Sequence, residues 1–136
     1  MYKENIVMDI NERVNKALEL KKSGYNCAQA VTAAFADLTE LTEEQLKQIS
    51  AGFGAGMGNM EATCGALVGA GIIAGLKTQG TGSTKLTKLM VEQFNAKCGA
   101  TQCKLLKTKT DGKPLCSCED CVKNAVMICA EILGIQ

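Results

Sequence analysis

The feature that most constrains this chain is an apolar segment, residues 64–76, in which glycine and alanine alternate with larger aliphatic residues. Gly65 and Gly69 stand four residues apart, as do Gly71 and Gly75. On a helix, residues at that spacing share a face, and small residues there let a second helix come close. The segment is too short to span a bilayer as a helix. The pattern therefore predicts a buried helix at the centre of the fold, with Gly65 and Gly69 packed against another helix.

Helical spacing of apolar residues recurs along the rest of the chain. Aromatic residues make up only 4% of the sequence, and a core rich in alanine and leucine suits helices better than sheets. No strand candidate is evident. The sequence thus predicts an all-α protein: a compact bundle of about five to seven short helices around the glycine-rich central helix, in a single cysteine-rich domain over residues 1–136. Besides the central segment, helices are expected over residues 11–22, 27–36, from 42, 84–97 and 118–133.

Capping residues mark the ends of these helices. We expect Gly24 and Gly99 to follow helices, since glycine readily adopts the left-handed conformation. Expected N-caps are Asn26, Thr42 (with Gln45 in a capping box), Thr63 and Thr101. Within the helix over residues 84–97, Leu86, Leu89, Met90 and Phe94 are predicted to face inward.

A second glycine-rich stretch contains Gly52, Gly54, Gly56 and Gly58. No strand signal precedes it and no Gly-Lys-Ser/Thr follows it, so a nucleotide-binding loop is disfavoured. A loop that lets the backbone pass close to a site, or a helix bend, accounts for it better.

The chain contains eight cysteines and no histidine. The first residues lack the apolar core of a signal peptide, so we expect a soluble, cytoplasmic protein with reduced thiols. Cysteines in that setting bind metals, catalyse or undergo redox chemistry. Without histidine, a soft-metal site must rest on thiolates. A net charge of +1 argues against nucleic-acid binding, and the basic stretch from Lys104 to Lys113 is predicted to be a solvated loop.

Three cysteines are predicted near helix starts. Cys27 and Cys64 each open a helix, and Cys103 lies in the first turn of a short one. Free N–H groups and the helix dipole favour a thiolate there. Cys98, at a helix end where the dipole opposes a thiolate, ranks below Cys103.

The remaining cysteines lie near or within the last helix. Cys116, Cys118 and Cys121 crowd its start, and residues 118–121 form a CxxC, a spacing that suits either a dithiol or two ligands to one metal. Cys129 falls on the apolar stripe and is predicted to be a core residue.

Four fragments together resemble a known family. They are residues 24–31, the Cys-Gly-Ala-x-x-Gly run over residues 64–69, residues 99–106, and Cys118 with Val122 and Ala125. The chain is similar, over nearly its whole length, to the family of redox-active proteins named for its C_GCAxxG_C_C signature. The resemblance implies four functional cysteines, Cys27, Cys64, Cys103 and Cys118, with Cys121 as the rival for the fourth position. We expect these four to approach one another in the fold.

The resemblance extends to a domain of split-Soret cytochromes, which implies iron–sulfur binding and adds to the expectation of a dimer. Because the central helix is apolar nearly all round, we expect a homodimer with the glycine-rich or C-terminal helix near the contact; a monomer that encloses this helix is the alternative. The favoured hypothesis is thus an electron-transfer protein or oxidoreductase, with the four cysteines holding a [2Fe–2S]-type cluster, or zinc in the same cage, and an unknown redox partner protein. A metal-free thiol–disulfide protein is the alternative, using Cys118 with Cys121 or Cys27 with Cys64. A non-catalytic structural or adaptor domain is the third. No CxxCH occurs, so covalent c-type haem is excluded.

Overall fold

The computed structural model describes residues 8–135, and this part of the chain forms seven α-helices with one small hairpin. The helices are α1 Ile10–Lys22, α2 Cys27–Ala33, α3 Glu43–Ser50, α4 Gly65–Lys77, α5 Ser83–Cys98, α6 Cys103–Lys107 and α7 Cys118–Ile132. Strands β1 (Lys109–Thr110) and β2 (Lys113–Pro114) pair antiparallel, with Lys109 opposite Pro114. The all-α prediction is confirmed, and the hairpin lies in a segment predicted to be plain loop.

Most of the predicted helix ends are confirmed. Asn26 and Thr42 each accept a hydrogen bond from the backbone three residues on, completing capping boxes at the starts of α2 and α3. Gly24 follows α1 with a φ of 115°, and Gly99 follows α5 with a φ of 93°. Glycine adopts these left-handed conformations without the steric cost that a Cβ brings.

Two predicted N-caps are wrong. The N-cap position of α4 is Cys64 rather than Thr63, and that of α6 is Gln102 rather than Thr101. The side chains of Cys64 and Gln102 make no capping hydrogen bond. The reason is tertiary: Thr63 and Gln102 face each other in an isolated antiparallel bridge, which holds both residues in extended backbone. A cap predicted from local sequence cannot anticipate that pairing.

The glycine-rich helix α4 packs against α2, α5 and α7. A Cβ added at Gly65 would lie 2.7 Å from the Phe53 carbonyl oxygen, and one at Gly69 would lie 3.0 Å from the Ala28 carbonyl oxygen. The predicted close approach at these two glycines is therefore confirmed. Gly75 differs, since nothing lies within 4 Å of a Cβ added there.

Helix α7 completes the core by packing against α1, α2, α4 and α5. The side of α5 that is buried carries Met90, Phe94 and Cys98. Leu89 was predicted to face inward, and this is wrong, because its side chain is 46% exposed. The buried residues are spaced four apart, and Leu89 precedes Met90 by one residue, which turns it about 100° away from them.

Helix α1 is fixed beside α2 by a buried arginine. Arg13 is fully buried, donates from Nη1 to the carbonyl oxygen of Ala34 at 2.8 Å and forms an ion pair with Asp37 at 2.6 Å. A buried charge is stable only when it is paired in this way. This anchor fixes the helix that carries Lys21, which lines the pocket described next.

Candidate redox and metal site

Two backbone hydrogen bonds bring Cys64 and Cys103 together. The N–H of Cys64 donates to the carbonyl oxygen of Thr101 at 2.7 Å, and the N–H of Cys103 donates to that of Ala62 at 3.0 Å. These bonds flank the bridge between Thr63 and Gln102. The residues that precede α4 and α6 are thereby paired like short strands, so the two cysteines begin their helices side by side.

A pocket of about 140 Å³ lies where these helix starts meet those of α2 and α7. All four cysteines predicted as functional line it, whereas Cys121, the rival for the fourth position, does not. The lining residues are Lys21, Asn26, Cys27, Ala55, Cys64, Gly65, Cys103, Lys107 and Cys118. We call Cys27, Cys64, Cys103 and Cys118 the pocket cysteines. The first three are buried and Cys118 is partly exposed, so solvent reaches the thiols mainly at Cys118.

The second glycine-rich stretch passes directly beside this pocket. A Cβ at Gly54 would lie 2.4 Å from the Asn26 side chain, which caps the helix that Cys27 begins. A Cβ at Gly56 would lie 2.8 Å from Cβ of Cys103, and Gly56 has a φ of 56°. These glycines leave room for the cap and for the thiol. The prediction that this stretch lets the backbone pass close to a site is thus consistent with its position.

Cys27 and Cys118 are neighbours in the pocket and influence each other's ionisation. The neighbouring Cys27 thiol lowers the pKa of Cys118 to about 5, against the effect of burial and with help from Lys107 and Lys21. Proximity to Cys118, together with burial, raises the pKa of Cys27. Because Lys107 acts on Cys118, the negative charge of the pair is favoured at Cys118.

Lys107 supplies positive charge to the site. Burial opposes that charge, but the sulfurs of Cys121, Cys118 and Cys64 raise the pKa of Lys107, so the ammonium persists. Its Nζ donates to Sγ of Cys121 at 3.7 Å and to the carbonyl oxygen of Cys116 at 3.4 Å. The prediction of a solvated basic loop is wrong for this residue, because α6 turns its last side chain toward the cysteines.

Cys64 is a second thiol with a lowered pKa. The neighbouring Cys121 thiol lowers the pKa of Cys64 to about 7, opposed by burial and aided by the backbone N–H groups of Ala66 and Leu67 at the start of α4. Burial raises the pKa of Cys103. The helix start thus favours a thiolate at Cys64 as predicted, whereas at Cys103 burial raises the pKa against the opposing charge of Lys107.

Three further cysteines form a second cluster beside the pocket. Their sulfurs lie within 4.8 Å of one another, all three side chains are buried, and the set could hold a metal ion. We call Cys98, Cys116 and Cys121 the buried triad. The triad adjoins the pocket because Cys121 lies beside Cys64. The two cysteines of the CxxC therefore have different neighbours: Cys118 contacts Cys27, and Cys121 contacts Cys64 and Cys116.

Cys129 stands apart from both clusters. It is fully buried, its Sγ donates to the carbonyl oxygen of Ala70 at 3.8 Å, and burial raises its pKa to about 12. It is a core residue, as predicted.

Sequence reasoning missed the two lysines and the triad. Lys107 follows Cys103 by four residues, and that spacing on a helix could have placed the cation on the same face as the thiol. The triad gave no local signal, since Cys98 is distant in sequence from Cys116 and Cys121.

The fold and the site define a cysteine-rich helical protein with a thiol-lined pocket and a buried thiol cluster. Residues 25–132 match a family model described as "Putative redox-active protein (C_GCAxxG_C_C)", and the chain belongs to that family. No curated protein and no solved structure matches the chain. None of the helices in residues 8–135 combines the length and hydrophobicity that crossing a bilayer requires.

Proposed function

We propose that this protein transfers electrons through an iron–sulfur cluster of the [2Fe–2S] type, held by the four pocket cysteines. The observation that carries the proposal is that Cys27, Cys64, Cys103 and Cys118, from four separate segments, line one pocket. Tetrathiolate ligation is what such clusters use, and it needs no histidine. Zinc in the same cage is the structural variant of the proposal.

The dimensions of the pocket fit an inorganic centre. Organic cofactors occupy pockets of roughly 300–1,000 Å³, and this one measures about 140 Å³. Its donors are thiols, and the two cations that line it, Lys21 and Lys107, offset the negative charge of thiolate ligands. The helix starts at Cys27, Cys64 and Cys118 add partial positive charge in the same direction.

The protein's own residues would tune and protect such a centre. A bound cluster supplies one-electron redox chemistry at a potential set by charge, hydrogen bonds and solvent exposure. Lys107 donates toward the sulfurs and favours their ionised form. Burial of Cys27, Cys64 and Cys103 excludes water, while the partly exposed Cys118 marks the side from which a redox partner protein exchanges electrons. The site requires a compartment that keeps thiols reduced, and we place the protein in the cytoplasm on that ground.

Anaerobic purification tests the proposal. We expect iron and acid-labile sulfide in equal amounts, with the visible absorption of an iron–sulfur protein. Cys103→Ser should abolish both, and the matched control Cys129→Ser, which removes a buried thiol outside the pocket, should retain them. Iron-free protein after reconstitution with iron and sulfide, or equal iron in the two variants, would refute the cluster. Stoichiometric zinc instead of iron would support the structural variant.

A second candidate function is supported by the contact between Cys27 and Cys118. In this alternative the Cys118 thiolate attacks a disulfide of a partner protein and forms a mixed disulfide, releasing one partner thiolate. Cys27 then gives up its proton to the departing partner sulfur and attacks Sγ of Cys118. The partner leaves as a dithiol, its first thiolate having taken a proton from solvent, and the protein is oxidised by two electrons to the Cys27–Cys118 disulfide. The pairing differs from those expected from sequence. Mass-spectrometric mapping after mild oxidation should find a Cys27–Cys118 disulfide in metal-free protein, and any other pairing would contradict this candidate.

A further inference from the structure

The buried triad lies where the end of α5 and the segment before α7 meet the first turn of α7. Cys98 is the last residue of α5, Cys116 lies between the hairpin and α7, and Cys121 is in the first turn of α7. Their side chains are 3%, 7% and 0% exposed, respectively. None of the three lines the pocket, so this cluster is a separate site.

The surroundings of the triad are suited to thiolate charge. Nδ2 of Asn124 donates to Sγ of Cys98 at 3.3 Å, and Nζ of Lys107 donates to Sγ of Cys121 at 3.7 Å. Hydrogen bonds and a nearby cation of this kind orient and stabilise metal-bound sulfur. The donor set is purely thiol, which selects soft ions such as Cu(I), Zn²⁺ or iron–sulfur iron and disfavours hard ions such as Mg²⁺ and Ca²⁺.

We propose that the buried triad binds one Cu(I) ion through three thiolates, at a site distinct from the pocket. Structural Zn²⁺ sites are almost always four-coordinate, and the triad offers three donors in surroundings that admit little water. Cu(I) forms three-coordinate thiolate complexes and needs no fourth ligand. On binding, each of the three thiols loses its proton to solvent and forms a bond to the ion, so no electron transfer occurs.

The bound ion would fasten the end of α5 and the loop before α7 to the first turn of α7. That turn also carries Cys118, whose sulfur faces the pocket. The triad would therefore act as a clasp that keeps Cys118 in place. The proposed copper ligands include none of the pocket cysteines, although Cys121 lies beside Cys64.

A titration of the full-length chain with the pocket silenced tests the proposal. In a Cys27→Ser, Cys103→Ser, Cys118→Ser background, reduced protein is titrated anaerobically with Cu(I) against a chromophoric Cu(I) chelator. We expect one tightly bound ion, with three sulfur neighbours in X-ray absorption. Adding Cys98→Ser should weaken binding by at least about tenfold, since even residues outside the ligand shell affect metal affinity by about 10–100-fold. Adding Cys129→Ala, the matched buried control, should leave the affinity unchanged.

Several results would overturn the proposal. Equal Cu(I) affinity in the Cys98→Ser and Cys129→Ala variants would do so, as would a fourth sulfur neighbour from Cys64, which contacts Cys121. A Cys98–Cys116 disulfide in protein isolated from cells would also do so, because these two thiols are in contact. If circular dichroism shows that Cys98→Ser disturbs the fold, Cys116→Ala replaces it: Cys116 lies outside the helices, and the same loss of affinity is expected.

Discussion

The contact at Gly69 allows the packing of α4 to be tested with a pair of alanine substitutions. Both Gly69 and Gly75 lie inside α4, so replacing either by alanine should gain about 1 kcal/mol of helix propensity. At Gly75 nothing lies within 4 Å of the new Cβ, so the gain should be realised. At Gly69 the Cβ would lie 3.0 Å from the Ala28 carbonyl oxygen and 3.1 Å from Cβ of Val31.

Overpacking of this kind costs about 1–3 kcal/mol. Set against the propensity gain, Gly69→Ala should range from neutral to about 2 kcal/mol destabilising, and the two variants should differ by about 1–3 kcal/mol. For a chain of this size that is roughly 3–10 °C in Tm. Thermal and urea unfolding, followed by circular dichroism under reducing conditions, measures the difference. A Gly69→Ala variant as stable as Gly75→Ala would refute the close-packing argument, and Gly69→Leu should be destabilised more than Gly69→Ala.

Two further predictions concern the thiols and assembly. In metal-free protein at pH 6, Cys118 should be roughly 90% ionised, since its pKa is about 5, whereas an ordinary thiol near 8.5 is under about 1% ionised. Iodoacetamide should then label Cys118 first, and the labelling should fade as the pH falls through 5. Lys107→Met should shift the pH dependence of labelling to higher pH. Mass spectrometry identifies the labelled cysteine, and labelling of Cys118 that begins only above pH 8 would contradict its lowered pKa. Second, α4 and α5 line an apolar groove of about 400 Å³ that includes Val68, Ile72 and Val91. We therefore expect a homodimer with α4 near the contact. Light scattering with reducing agent at micromolar protein measures the mass, and a monomer mass would contradict this prediction.

Much of the fold could be predicted because its signals are local. The spacing of apolar residues, the caps at Asn26 and Thr42 and the glycines that end α1 and α5 each act within a few residues of their position. The caps predicted at Thr63 and Thr101 failed because a bridge between distant segments determines the backbone there. Local preference is a weak predictor wherever such tertiary contacts compete with it.

Part of the candidate site could likewise be predicted from the sequence, and part could not. Similarity to a family signature identified the pocket cysteines, and the structure brings these four to one pocket, while their roles remain a prediction. The contribution of Lys107 and the triad depends on how α5, α6 and α7 pack, which no pattern within a single segment expresses. The pairing of Cys27 with Cys118 was likewise missed, since sequence spacing favoured Cys118 with Cys121.

Because Cys118 and Cys121 belong to different clusters, the chain cannot change in length between them without moving one of the two thiols. One residue inserted between Cys118 and Cys121 would rotate the second thiol by about 100° around α7 and remove it from the triad. The hairpin over residues 109–114 has mostly exposed side chains and lines neither cluster. Even doubling the length of such a loop costs only about 0.6 kcal/mol in closure entropy. Natural length variation should therefore concentrate at the hairpin turn around Asp111 and Gly112, while the spacing from Cys116 to Cys121 stays fixed.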